Sequence, residues 1–387
     1  MAQGDTAPGT CLTGSVRVLA LALLLLAAAP AAAAADVRLD GQGFGHGVGL
    51  SQYGAYGYAL REARTARFIV GHYFTGTTVQ TRPATAIRVR LKAGSSAKVC
   101  SARTATGAQG RVVTLREDRA YRLNPVSTAQ LAVVDSTTGA TLATIGAPVT
   151  VADGSDGVCL RGVAENGVDG GSYRGTFVVM RDGAGVLVVN RVSLEHYVYG
   201  VVPSEMPASW PHAALKAQAI AARSYALRSL RPAAAYDVFA DTRSQVYRGM
   251  VAETAATTFA VQDSQAQAVM AGAEVAQTFF FSTSGGVTEN NEAAFGGAPI
   301  SYLRSVADPH DDLSPSHRWT VTFTTAQLDA KLGDLVAGQA TGLQVLTRTA
   351  TGRAATVRIV GTEGTNTVPA TTIRTRLGLR SVWFFVA

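Results

Sequence analysis

The stretch "YVYGVVPSEMPASWPHAALKAQAIAARSYALRSL", residues 197–230, carries the strongest helix signal in the chain. From Ala213 to Leu230 nearly every residue is a good helix former. Pro211 suits the first turn of such a helix, because the N–H that proline lacks would have no partner there. The stretch therefore predicts a long helix that begins close to Pro211.

A carboxylate and a basic stripe accompany this predicted helix. Glu205 precedes it, on a segment that we expect to be irregular and to follow a strand-like "YVYGVVP". At about 100° per residue, His212, Lys216 and Arg223 fall within a narrow arc. A carboxyl held there can be partly buried, with its pKa tuned by nearby Lys and Arg. On spacing alone, a solvated basic face explains the stripe better than a binding surface.

A second stretch, "GQGFGHGVGLSQYGA" at residues 41–55, places glycine at every second position around one histidine. If the stretch is extended, the glycines share one face, which another backbone or a ligand can approach closely. The opposite face then carries Gln42, Phe44, His46, Val48 and Leu50. The even spacing excludes a Gly-x-Gly-x-x-Gly dinucleotide loop. A flexible glycine-rich linker is the alternative interpretation.

A third stretch, "FFFSTSGGVTENNEAAFG" at residues 279–296, runs from an apolar strand into a small polar turn. Ser282, Ser284 and Thr288 could hydrogen-bond a polyhydroxylated ligand, although an ordinary Ser/Gly turn explains the stretch equally well. The chain has no Gly-x-Ser-x-Gly elbow, which disfavours a serine hydrolase.

The first 35 residues are typical of a secretory signal peptide. Arg17 precedes the apolar run "VLALALLLLAAA", which is followed by "PAAAAAD". The run is short for a membrane span, and no later stretch is long and apolar enough to be one. We therefore expect cleavage near Ala35 and a mature protein that is secreted or associated with the cell wall, without an integral membrane domain.

The net charge of the chain narrows the class of partner. The net charge of +7 is unchanged when the first 35 residues are removed. It suits an anionic polymer such as the cell wall, whereas scattered charge without a recognition motif argues against nucleic acid.

Cys100 and Cys159 are an even pair in an oxidising compartment, so we expect a disulfide, with two unpaired buried thiols as the alternative. Without histidines at ligand spacing, the two cysteines form no zinc site.

The order of apolar runs predicts an α+β fold that is rich in strands and has a helical part. Residues 85–190 contain short Val/Ile/Leu runs separated by turn residues, including a hairpin around "DGAG". Residues 191–310 mix helices with short strands, and the remainder alternates between the two.

Four motifs together resemble the SpoIID family, the stage II sporulation protein D domain also found in cell-wall amidase enhancers. They are the 197–230 stretch, "DTRSQVYRG" at residues 241–249, "FFFSTSGGVTE" and the glycine-rich stretch. The resemblance implies a SpoIID-like domain over residues 36–387, with a β-rich insertion at about 95–165. The glycine-rich motif usually closes such domains but here opens the mature chain, so the order looks permuted. Permutation is tolerated where chain ends lie close together.

The resemblance implies a peptidoglycan lytic transglycosylase, with Glu205 as the catalytic glutamate. Substrate contacts are then expected from Lys216, Arg223, Gln245, Tyr247, His46, Gln52, Ser282, Ser284 and Thr288. Some members bind zinc through Cys and His around "SQVY", but this segment has neither, and Ser284 stands where some have cysteine. No metal and no cofactor are therefore expected. The alternative is a non-catalytic wall-binding module that recruits or enhances an amidase.

The chemistry implied for this family needs one carboxyl group. It protonates the oxygen between N-acetylmuramic acid and N-acetylglucosamine, then removes the proton from the muramic C6 hydroxyl as a 1,6-anhydro ring closes. Hydrolytic glycosidases use two carboxylates instead, so Asp237 or Asp241 would favour hydrolysis if either faces Glu205. We further expect burial to raise the pKa of Glu205, Lys216 or Arg223 to limit that rise, and His46 and Gln52 to reach the groove of Glu205.

Overall fold

The computed structural model describes residues 36–153 and 157–387, so the predicted signal peptide lies outside the described residues. The helices are α1 (Gln52–Arg61), α2 (Ala66–Tyr73), α3 (Leu194–Glu205), α4 (His212–Arg228), α5 (Ala255–Asp263), α6 (Asn291–Phe295), α7 (Thr325–Leu332) and α8 (Ala370–Leu377). In these residues, no helix combines the length and the apolar character that crossing a membrane requires.

The strands outnumber the helices, and the predicted strand-rich α+β class is confirmed. They are β1 (Val37–Gln42), β2 (Leu50–Ser51), β3 (Thr78–Thr81), β4 (Ala86–Gly94), β5 (Ala97–Cys100), β6 (Thr104–Thr106), β7 (Val112–Thr114), β8 (Ala120–Ser127), β9 (Gln130–Asp135), β10 (Thr141–Gly146), β11 (Val149–Ala152), β12 (Val158–Leu160), β13 (Ser172–Tyr173), β14 (Thr176–Asp182), β15 (Gly185–Ser193), β16 (Val238–Phe239), β17 (Gln267–Ala271), β18 (Glu274–Val275), β19 (Phe280–Phe281), β20 (Arg318–Phe323), β21 (Ala340–Arg348), β22 (Ala354–Gly361), β23 (Thr365–Pro369) and β24 (Phe384–Val386).

Two large sheets contain most of the strands before α3. One has the order β16-β4-β15-β14-β11-β6-β7 and the other β10-β9-β8-β5-β12-β13. The predicted hairpin around "DGAG" is present, with Asp182 opposite Gly185 in the antiparallel pair of β14 and β15. Strands from the β-rich segment at 95–165 enter both sheets, because β6, β7 and β11 extend the first while β5 and β8–β10 build the second.

The two ends of the described chain lie side by side. Strand β1 is the middle strand of a three-stranded sheet, between β20 and β24, and Ala387 N donates to Arg38 O at 3.0 Å. Leu39 of β1 is buried in a smaller core with Trp319, Phe384 and other residues of the C-terminal region. A permuted motif order requires neighbouring ends of this kind.

Helix α4 lies at the centre of the larger core and matches the predicted helix to within two residues at each end. Its buried positions occur around the whole circumference, and most are alanine. Small side chains allow neighbouring elements to approach closely on every side, so α1, α2, α3 and α5 all contact α4.

Helix α3 replaces the strand-like, irregular segment expected before α4, and that prediction was wrong. The buried apolar residues are Leu194, Tyr197, Val198, Val201 and Val202. Their spacing of i, i+3, i+4, i+7 and i+8 is the signature of one helix face. Burial of this face outweighs the strand preference of the valines, because local propensity is weaker than tertiary packing.

The glycine row is a strand only as far as Gln42, so the prediction of an extended stretch was also wrong. Gly43, Gly45, Gly47 and Gly49 have φ between +77° and +113°, a region that favours glycine. The expected close approach of backbone does occur. A Cβ on Gly49 would lie 2.2 Å from Phe279 O, and one on Gly43 would lie 2.8 Å from Thr283 O.

Cys100 and Cys159 are joined by a disulfide between β5 and β12, with their Cα atoms 4.8 Å apart. The bond closes a loop with a sequence separation of 59. Replacing both cysteines by serine should lower the free energy of unfolding by about 4 kcal/mol, because the unfolded chain regains the entropy of that loop. Urea denaturation of the purified double variant checks this value. An unchanged free energy of unfolding would contradict it.

Candidate active site

Glu205 is the last residue of α3, and its carboxyl group is held by two neutral donors. Val246 N donates to Oε1 at 3.0 Å, and Gln52 Nε2 donates to Oε2 at 3.3 Å. Gln52 is buried and begins α1, where the Ser51 hydroxyl caps the helix by accepting from Gly54 N. The glycine-rich motif therefore supplies Gln52, one of the two hydrogen-bond donors to the carboxyl.

Burial raises the pKa of Glu205 above its ordinary value. The hydrogen bonds from Val246 and Gln52 oppose that rise, and the charge of Arg248 opposes it further. The expectation that Lys216 or Arg223 limits the rise was wrong, because the cation that acts on Glu205 is Arg248. Burial remains the dominant effect, as required for a carboxyl that must hold a proton near the working pH.

Arg223 and Lys216 both lie on α4, but one is buried and the other lies near the surface. The N–H groups of both side chains bond to residues other than Glu205. The Arg223 guanidinium is 1% exposed and forms two hydrogen bonds to Glu195, at 2.9 and 2.7 Å. It also donates to the carbonyl oxygens of Gln267 and Val261. Lys216 Nζ lies 2.9 Å from Asp263 at the surface, so neither cation is arranged to bind a substrate beside Glu205.

Gln245 and Tyr247 flank Val246, whose backbone N–H donates to Glu205, but their own side chains are buried in the core. Both are 1% exposed. Gln245 Nε2 donates to the Tyr197 hydroxyl and to a carbonyl of α4, and the Tyr247 hydroxyl donates to Asn190. The part of this motif that reaches Glu205 is the backbone N–H of Val246, which no side-chain pattern reveals.

The three hydroxyl residues of the polar turn separate into one that is accessible and two that are buried. Ser284 Oγ donates to Asp311 at 3.0 Å, and Thr288 exchanges hydrogen bonds with the backbone of Val306, so both are structural. Ser282 is half-buried, and its carbonyl accepts from Tyr53 N at 3.0 Å. Ser282 is therefore bonded directly to Tyr53, the residue after Gln52.

His46 lies in a different environment from Glu205. Its ring packs against Phe279, Phe281 and Phe295 and lines a cavity of about 440 Å³ together with Arg353. Among the described residues, the lining of this cavity includes neither Glu205 nor Gln52. Burial lowers the pKa of His46 to about 4, which leaves the imidazole neutral at physiological pH. Of the two glycine-motif residues expected at the groove, the structure brings only Gln52 to Glu205.

Neither candidate for a second carboxylate faces Glu205. Asp237 is buried and pairs with Arg88, accepting from its guanidinium at 2.7 Å and from its backbone N–H. Asp241 pairs with Arg243. The influences that shift the pKa of Glu205 include no neighbouring carboxylate. The expectation of a one-carboxyl site thus agrees with the geometry, and a hydrolase based on either aspartate does not.

Comparisons with known proteins agree with the four motifs. The family model SpoIID, described as Stage II sporulation protein, matches residues 182–279, which include α3 and α4. Stage II sporulation protein D of Bacillus subtilis (strain 168) is 37% identical over 213 residues, 51% of this chain and 61% of that protein. Residues 182–279 thus match the SpoIID family, and the chain resembles that family.

The matches to two further relatives cover different shares of those proteins. Stage II sporulation protein D of Bacillus amyloliquefaciens is 37% identical over 213 residues, and the match covers 60% of it. The protein named amidase enhancer from Bacillus subtilis (strain 168) is 34% identical over 136 residues, which is 35% of this chain and 18% of that protein. The chain therefore matches less than two thirds of each of these relatives.

The different environments of Arg223 and Lys216 predict different costs of truncation. Arg223→Ala should lower the free energy of unfolding by about 3–5 kcal/mol, because Glu195 is left as an unpaired charge beside the core. Lys216→Ala is the matched control on the same helix and should cost about 1 kcal/mol or less, since its ion pair is exposed. Chemical denaturation of both variants measures the difference. Equal costs would contradict a structural role for Arg223.

The raised pKa of Glu205 predicts a pH-dependent gain in stability when the charge is removed. Above that pKa the folded protein must bury a carboxylate, so Glu205→Gln should increase the free energy of unfolding at neutral pH. The gain should shrink as pH falls through the pKa of Glu205, because the wild-type carboxyl then becomes neutral too. Thermal or urea unfolding of both proteins between pH 4 and pH 8 checks the sign.

Asp241→Asn is the control for this pH dependence. Arg243 lowers the pKa of Asp241, so its removal should reduce stability at neutral pH, and the deficit should vanish in acid. If Glu205→Gln behaved like Asp241→Asn, the pKa of Glu205 would have to be lowered instead of raised.

Proposed function

We propose that this SpoIID-like protein is a secreted lytic transglycosylase that cleaves the bond between N-acetylmuramic acid and N-acetylglucosamine in peptidoglycan. The observation that carries the proposal is the carboxyl of Glu205, which is enclosed at the end of α3, has a raised pKa and is held by two neutral donors. Such a group can carry a proton to a substrate and take one back.

In the first step, Glu205 acts as the general acid. Val246 N–H occupies Oε1, so the transferable proton belongs on Oε2, where Gln52 lies 3.3 Å away. An amide side chain both donates and accepts, so Gln52 can serve the protonated and the ionised carboxyl by turning its amide. The proton passes from Oε2 to the glycosidic oxygen, the C1–O bond breaks, and the N-acetylglucosamine side leaves as an alcohol.

In the second step, the same carboxylate acts as the base. It accepts the proton of the muramic C6 hydroxyl while that oxygen bonds to C1, which closes a 1,6-anhydro ring and restores the protonated Glu205. The reaction consumes no water and needs no second carboxylate to activate one, in contrast to ordinary glycoside hydrolysis. The pairing of Asp237 with Arg88 and of Asp241 with Arg243 supports this one-carboxyl route.

A second candidate function has one observation in its favour. The relative named amidase enhancer matches 35% of this chain. A non-catalytic role would use the same site to bind glycan and to recruit or activate an amidase. The two functions differ in whether the protein alone changes the reducing ends of glycan strands.

Glu205→Gln should reduce cleavage of purified glycan strands by at least about 10²–10⁴-fold, because glutamine keeps the shape of the side chain but has no transferable proton. Glycan binding should survive, since Gln can still accept from Val246 N–H. The matched control is Asp241→Asn, which removes an accessible carboxylate that is paired elsewhere, and it should retain activity. Mass spectrometry of the products measures both the rate and the nature of the ends.

The product ends separate the alternatives. The transglycosylase predicts 1,6-anhydro ends. These are about 18 Da lighter than hydrated reducing ends, because they lack one water. Hydrated ends from the wild-type protein would overturn the mechanism. No cleavage by the wild type, with amidase activation unaffected by Glu205→Gln, would instead favour the enhancer.

A further inference from the structure

An aromatic cluster lies beside the carboxyl of Glu205 and has no part in the chemistry described above. Trp210 stacks on Tyr56 with ring centroids 4.7 Å apart and an interplanar angle of 18°. Tyr53 meets the indole edge-on, with centroids 4.9 Å apart. We call these three residues the aromatic platform. All three are half-buried, whereas the other two tryptophans of the chain, Trp319 and Trp383, are buried.

Chain geometry places the platform next to Glu205. Gln52, which contacts the carboxyl, is followed directly by Tyr53 and lies four residues before Tyr56 on α1. Residues at i and i+4 are neighbours on one helix face, with Cβ atoms about 5–6 Å apart. On the other side, Trp210 lies five residues after Glu205, in the turn between α3 and α4, where its backbone N–H donates to Pro207 O. Both approaches lead from the carboxyl to the same aromatic rings.

Each aromatic ring of the platform carries one polar group. Across residues 36–153 and 157–387, neither the tyrosine hydroxyls of Tyr53 and Tyr56 nor the indole N–H of Trp210 forms a hydrogen bond. Ser282, whose carbonyl accepts from Tyr53 N, adds a half-buried hydroxyl nearby. Half-buried aromatic rings with free polar edges suit a ligand that has an apolar side and a polar rim.

We propose that the aromatic platform is a glycan subsite on which a pyranose ring of the strand stacks, next to the bond that Glu205 cleaves. A pyranose presents carbon-bound hydrogens on one face and hydroxyl or N-acetyl groups around its edge, which matches the platform in both respects. The inference rests on the proposed function, because it takes the ligand at Glu205 to be a glycan. It adds a binding element that none of the four sequence motifs assigns to substrate.

Binding of peptide-free glycan strands, measured by calorimetry in the Glu205→Gln background, tests the platform without cleavage. Tyr56→Ala should weaken binding by about tenfold or more, equivalent to about 1.4 kcal/mol. Tyr56→Phe, which keeps the ring and removes only the hydroxyl, should lose much less. Phe385→Ala is the matched control, because Phe385 is an exposed aromatic on β24 that stacks with Arg348, and it should bind like the parent.

A second readout reports contact directly and does not depend on how well a variant binds. Glycan should change the tryptophan fluorescence of the parent, and that change should disappear in Trp210→Phe, since the other two tryptophans are buried. If Tyr56→Ala binds glycan like the parent and the fluorescence change persists in Trp210→Phe, the platform is not a glycan subsite, even where wild-type cleavage gives anhydro ends.

The remaining outcomes separate this inference from the proposed function. Hydrated ends or absent cleavage, combined with weakened binding in Tyr56→Ala, would overturn the transglycosylase and leave the glycan subsite standing. Unchanged glycan binding in Tyr56→Ala, with loss of amidase activation, would assign the platform to a protein partner and overturn the subsite.

Discussion

The ion pair between Arg223 and Glu195 is the contact on which the position of the site depends. Arg223 lies in the C-terminal half of the central helix α4, and Glu195 lies in the first turn of α3. Because a buried guanidinium is costly without partners, its remaining donors bond to carbonyls of α5 and β17. Four elements are thereby joined at one point. Glu205 lies ten residues further along α3, about 15 Å along the helix axis, so the anchored first turn of α3 helps to determine where the carboxyl lies.

The glycine-rich motif performs the complementary task of bringing Gln52 to that carboxyl. Strand β1 is held between two C-terminal strands, and the chain must then pass close to the backbone of residues 279–284 before α1 begins. Alternate residues with positive φ make that passage possible. The single histidine is explained by the same passage. His46 accepts from Val48 N through Nδ1 and bonds to the backbone of Phe280, so a neutral ring joins two backbone segments.

The sequence predicted the parts of the fold that depend on local pattern and missed those that depend on packing. Helix α4 and the β14–β15 hairpin follow from propensity and turn chemistry, and both are present. Helix α3 was missed although its apolar spacing was helical, because the valines near Glu205 favour a strand. At the site, Glu205 and Gln52 lie within recognisable motifs, whereas Val246 contributes only a backbone N–H that any residue other than proline could supply. Arg248 lies inside a quoted motif, but its distance from Glu205 is a property of the folded chain.

The distribution of charge explains how a carboxyl surrounded by basic sequence retains a raised pKa. Arg223 is paired with Glu195, Lys216 with Asp263, and Arg243 with Asp241. Among the described residues, Glu205 forms no ion pair, and its hydrogen-bond donors are neutral amides. A direct contact with any of these cations would favour the ionised form and lower the pKa. Pairing these three cations with other acids leaves burial as the largest influence on the pKa of Glu205, opposed by the charge of Arg248 and by the two hydrogen bonds. Basic residues close to Glu205 in the sequence therefore stabilise the scaffold, and their separation from the carboxyl is what allows it to hold a proton.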